Sequence, residues 1–167
     1  MNDTYVEVMV AKKKSPMLDV GKVLLYGLAI ACLLLGILGN GIFFIGAAAF
    51  AAVAYFVIPM FDLEYEYLYI DKEVSIDKIM SKEKRRHFLT LDLNNMEVIA
   101  PVRSHELDSY RASDLKTYDF TSKEEDAKVY TIVCANDKEG MVLVNIEPNE
   151  EMLRAIKNVF PRKVLEV

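Results

Sequence analysis

The chain has 167 residues, 53% of them hydrophobic, no Trp and a formal net charge of -5. That length leaves room for one domain of ordinary size beside an apolar segment, and the acidic balance speaks against a nucleic-acid partner. Cys32 and Cys134 have no Cys or His at ligand spacing, so they read as small apolar residues in a reducing compartment and imply neither disulfide nor metal.

Residues 1–19 read as a cytosolic segment carrying a short strand at 4–10, with Val6, Val8 and Val10 on one face. This strand is expected to add to an edge of the sheet formed further on. From Val23 to Phe61 there is no Asp, Glu, Lys, Arg or His. A helix crosses the hydrocarbon core with about 20 residues, so this run of about 39 predicts two spans. The break falls at Gly39-Asn40-Gly41, giving a transmembrane hairpin over 20–61 with helices at about 20–38 and 42–59.

Lys12, Lys13, Lys14 and Lys22 precede the first span, while the connecting turn bears no charge. These topology determinants predict a multi-pass protein of the bacterial cell membrane with both termini cytoplasmic. The rival is a signal peptide cleaved near Gly46 to Ala49, which would leave Phe50 to Phe61 as an exposed apolar stub. Gly46, Ala47, Ala48, Ala49, Ala51, Ala52 and Ala54 make the second span small-faced. Such a face serves close packing within the hairpin, with homo-oligomerisation as the second use. An ion path is not expected, because no ionisable group lies at membrane depth.

Residues 62–167 form the predicted cytosolic domain, with 16 Lys and Arg against 22 Asp and Glu. Tyr65, Tyr67 and Tyr69 alternate on one strand, which an Asp71-Lys72 turn joins to a second at 73–80. Further strands are expected at 86–93 and 96–99. Ser104 is placed to cap a helical turn, and 115–120 alternates with Tyr118 and Phe120 on one face. A charged loop at 121–128 leads into a hairpin of 129–135 and 141–146. Met152, Leu153, Ile156, Val159 and Phe160 then mark an amphipathic helix at 148–160.

About seven strands in two hairpin-rich sheets, followed by one C-terminal helix, is the order of a pleckstrin-homology-like barrel. The strings MNDTYVE, DLEYEYLYIDKE, DKIMSKEKRR, MEVIAPV, SHELD, PNEE and IKNVFPRKV resemble a family of small bacterial two-span membrane proteins known as a domain of unknown function. The fold class expected is therefore a membrane α-helical hairpin plus a mainly β, PH-like cytosolic domain: a β-barrel with a C-terminal helix. The resemblance brings no activity with it.

Lys78, Lys82, Lys84, Arg85 and Arg86 crowd one loop and are the candidate contacts for anionic lipid or a partner. His105 lacks a second His at the i+4 spacing of a zinc helix, and His87 has no evident partner. With no Gly-rich phosphate loop and no activated nucleophile, neither enzyme activity nor a cofactor is expected. The expectation is a membrane-tethered scaffold module that binds a membrane or cytosolic protein or inner-leaflet lipid. The alternatives are an accessory subunit of a larger membrane complex and, third, a membrane-surface enzyme using His105 to Asp119.

Overall fold

The computed structural model describes residues 5–13, 16–56, 63–80, 84–136 and 138–165. They form two compact units, a helical one built on 13–63 with 80–84, and a β-rich one from residues up to 12, 64–79 and 85 onward.

In the helical unit, α1 runs Pro16–Ile37 and α2 runs Ile42–Phe56. The first helix starts earlier than its apolar pattern does, because Pro16 fits the first helical position, where a missing N–H costs nothing. The turn between them uses Gly39 at φ 147, and Asn40 caps α2 by accepting from the Ile42 amide at 3.3 Å. The helices pack closely: a Cβ on Gly36 would lie 3.1 Å from the Phe44 ring, and one on Gly46 would lie 3.6 Å from Cys32 Sγ. Over Met17–Ile37, α1 is long and apolar enough to cross a membrane. The described part of α2 is shorter than a span, and the expected extension over 57–59 lies outside the described residues.

The β-rich unit contains two four-stranded sheets. The first has the order β1 (Val6–Ala11), β2 (Leu63–Ile70), β3 (Glu73–Met80), β4 (Lys84–Asp92). Strand β1 is an edge, antiparallel to β2, with Val6 opposite Tyr69 and Ala11 opposite Glu64. Asp71 and Lys72 both take positive φ, 48° and 70°, which gives the two-residue turn the twist that hairpin strands require.

The second sheet has the order β5 (Met96–Pro101), β7 (Tyr130–Asn136), β8 (Gly140–Ile146), β6 (Lys116–Asp119). Its register pairs Ile99 with Ile132 and Ile132 with Val144. Strand β6 lies parallel to β8, so the alternating segment that ends at Phe120 is a sheet edge reached by a crossover. Two sheets followed by one helix are the order that the sequence predicts. Between β5 and β6, Ser104 caps a single 3-10 turn that continues into the short α3 (Asp108–Ala112).

Helix α4 (Glu150–Val159) starts at Asn149, whose side chain accepts from the Met152 amide at 2.8 Å. It buries Met152, Leu153 and Ile156 in a core that also holds Tyr67, Ile76, Leu91, Ile132 and Ile146. The Tyr67 hydroxyl is satisfied inside that core by donating to the Phe120 carbonyl. Beyond α4 the chain returns to β5, where the Ile99 amide donates to Lys163 O at 2.8 Å. The architecture, mixed α/β with two sheets and a C-terminal helix, is consistent with a PH-like fold.

Candidate functional site

Of the five cations singled out, Lys78 lies on β3 and Lys84, Arg85 and Arg86 on β4, and their surroundings differ. Lys82 lies outside the described residues. Arg85 is turned to the outer face of the first sheet, where its Nη2 donates to Glu66 Oε1 at 2.6 Å. Glu66 is only 4% exposed, so this guanidinium neutralises a carboxyl that burial would otherwise leave uncompensated. Asp77 lies 4.0 Å from Arg85 Nε and, through its other oxygen, 2.9 Å from His87 Nδ1. His87 thus has a partner that the sequence did not reveal, and its second ring nitrogen meets the Thr90 hydroxyl at 3.2 Å.

Strand β1 joins the same network. Tyr5 donates to Glu7 at 2.6 Å, and Glu7 shares a hydrogen bond with Glu66. Burial and the Glu7 contact raise the Glu66 pKa against the pull of Arg85, while the Tyr5 and Glu66 contacts lower that of Glu7. On the outer face, Tyr5, Glu7, Glu66, Arg85, Asp77 and His87 in this way form one charged network.

Lys78 behaves differently. Its Nζ lies 4.2 Å from the centroid of the Phe88 ring, 5.7 Å from that of Phe120 and 6.0 Å from that of Tyr65. Phe120 stacks on Tyr118, with centroids 6.1 Å apart, and Phe88 meets both rings edge-on. The rings come from β2, β4, β6 and the residue after β6, so this cluster links the β4 edge to the β6 edge. The ammonium rests on aromatic faces, and its pKa is lowered first by burial, then by the like charges of Lys12 and Arg86. Lys84 and Arg86 are exposed, with no ion pair among the described residues.

Of the topology residues, Lys12 and Lys13 are exposed, Lys22 pairs with Asp19 at 3.4 Å, and Lys14 lies outside the described residues. Among the described residues, the His105 ring meets Asp108, at 3.1 Å. No group of three or more His, Cys, Asp or Glu side chains converges as a metal site among the described residues. Cys134 is buried, and burial pushes its thiol up to about 11, the setting of an inert core residue.

A second concave feature lies beside α4, an open groove of about 1130 Å³ between its first two turns, the 124–129 loop and the end of β5. Arg103, Lys128 and Arg154 line it together with Glu124, Asp126 and Glu150, over an apolar floor that includes Leu153. The loop is held in place by Ser122, whose amide and hydroxyl both donate to Glu147, at 2.6 and 2.9 Å. A rim of both signs over an apolar floor suits a peptide segment better than a small charged substrate.

Two sheets with a packed C-terminal helix are consistent with a PH-like domain, a class that suggests an interaction module. Such domains usually act without catalysis. The chain belongs to the family described as Bacterial PH-like domain (DUF6106), a domain of unknown function, which it matches over residues 2–166. No curated protein and no solved structure matches the chain.

Proposed function

We propose that this protein is a membrane-tethered PH-like module that holds an interaction surface at the cytoplasmic face of a bacterial membrane. The observation that carries this reading is the helical unit's surface. Leu24, Ile30, Leu34, Phe44 and Ile45 are all exposed, on both helices, and an all-round apolar surface of that kind needs burial, which a lipid bilayer supplies. On the two-span reading of the apolar run of about 39 residues, Lys12, Lys13, Lys14 and Lys22 keep the termini inside. The small residues of α2 serve the hairpin itself, since Gly46 already sits against Cys32.

The module's partner is a protein segment seated in the groove beside α4, which Arg103, Arg154, Glu124 and Glu150 line together with Leu153. The experiment is site-directed labelling of the full chain in cells with a membrane-impermeant maleimide. Asn40→Cys is expected to label in intact cells and His105→Cys only after permeabilisation. Labelling of both before permeabilisation, or release of the protein by alkaline carbonate, overturns the reading. A photo-crosslinker at position 154 is then expected to give one discrete adduct that is missing when the crosslinker stands at Glu97.

A further inference from the structure

We propose that Lys12, Lys78 and Arg86 form a binding site for a phosphate-type oxyanion at one end of the first sheet, over the Phe88 ring. The site deepens the membrane-tether reading and rests on it only for the source of the anion, since the cations converge whatever surrounds the helices. Three observations lead to it.

The first is strand register. Val6, Val8 and Val10 pack on the core, so alternation carries Lys12, just past the end of β1, onto the same inner face. Val10 lies opposite Tyr65, and Lys78 of β3 lies over that ring. Arg86 stands two residues before Phe88 on β4 and so shares the face of the ring nearest Lys78. The second is the absence of a counter-charge among the described residues. Glu64, Glu66 and Asp77 belong to the outer face by the same alternation. Asp119, the acid that acts on Tyr65, is occupied by Lys123 and Thr121. The third is the mutual repulsion: Lys12 and Arg86 both disfavour the charge on Lys78, and an oxyanion among the three relieves it.

The set differs from the basic loop taken as a whole. Arg85 drops out because Glu66 holds it, and Lys12 enters from another part of the chain. The chemistry fits a phosphate monoester or diester, from a lipid headgroup or free in solution: an ammonium and a guanidinium bring several charge-assisted donors to one group, and Phe88 shields them on one side.

The test uses the full chain in a neutral detergent, titrated with inorganic phosphate and with short-chain phosphatidylglycerol. Saturable binding is expected, weakened about fivefold or more by Lys78→Ala and by Arg86→Gln, and less than twofold by Lys128→Ala in the groove beside α4. Lys12→Gln, at an exposed position, is expected to weaken binding about as much as Arg86→Gln, and so serves if Lys78→Ala disturbs the fold. Tighter binding of the lipid assigns the headgroup as the source, and equal or tighter binding of inorganic phosphate assigns a soluble anion. No saturable binding, or equal losses from Lys128→Ala and Arg86→Gln, overturns the site. Because binding is read in detergent, a failed topology experiment leaves this result standing, and the reverse also holds.

Discussion

The first sheet treats charge in opposite ways on its two faces. Outside, Arg85, Glu66, Asp77 and His87 satisfy one another, and Glu66 is buried by that arrangement. Inside, at the end of the same strands, Lys78 rests on Phe88 and, among the described residues, is acted on by the like charges of Lys12 and Arg86. Neighbouring cations in one sequence run therefore have different roles. Arg85 serves the fold, while Lys78 and Arg86 are left for something else.

Substitutions can break this contrast, and the largest effect belongs to the paired face. Arg85→Ala leaves the Glu66 carboxyl buried without its partner and is expected to lower stability by about 2 kcal/mol, read by denaturant unfolding in detergent. Protonation of Glu66 can relieve part of that loss, so Glu66→Gln in the Arg85→Ala background is expected to recover some of it. Phe88→Ala comes next, at about 1 kcal/mol, because the ring is 40% exposed but braces both Tyr118 and Phe120. An unchanged unfolding midpoint would show that the aromatic bridge between the sheet edges is idle.

A pH experiment sharpens the comparison at Asp119. Burial raises its pKa, but hydrogen bonds from Lys123 and Thr121 outweigh burial and hold it below its ordinary 3.8. A depressed folded pKa gives stability that is fully present above the unfolded value and lost as pH falls through the folded one. The acid limb of the stability curve is accordingly expected to flatten below about pH 4 in Asp119→Asn, measured against wild type in the same detergent. The smallest effect is Arg86→Ala, expected within about 0.5 kcal/mol of wild type, since no ion pair is lost among the described residues. A loss as large as that of Arg85→Ala would erase the distinction between the faces.

Much of this was legible locally and little of it at a distance. Alternation marked Val6, Val8 and Val10 as a strand with an inner face, and the Asp71-Lys72 turn was visible between two β-rich runs. The stripe of Met152, Leu153 and Ile156 marked a helix. Strand β6 was seen as alternating but not as parallel to β8, since parallel pairing leaves no turn signature. The same limit hid the site. Glu66 and Arg85 are 19 positions apart, and Phe120 reaches Lys78 from the other sheet, so counting cations along the chain could not separate the engaged from the available. The alternation of Glu64 and Glu66 with buried tyrosines was the one local hint that acids on the outer face needed partners.

The ladder between β1 and β2 has a further consequence. These partners are separated in sequence by α1 and α2, so the helix pair is in effect an insertion inside a β-hairpin, its two ends tied by the backbone ladder from Val6 to Ala11. A break in the Gly39–Gly41 turn would therefore cut the chain without parting it. Two polypeptides, one ending at the turn and one beginning there, carry complementary strands and complementary helices, and co-expressed they should find each other and assemble as a split protein.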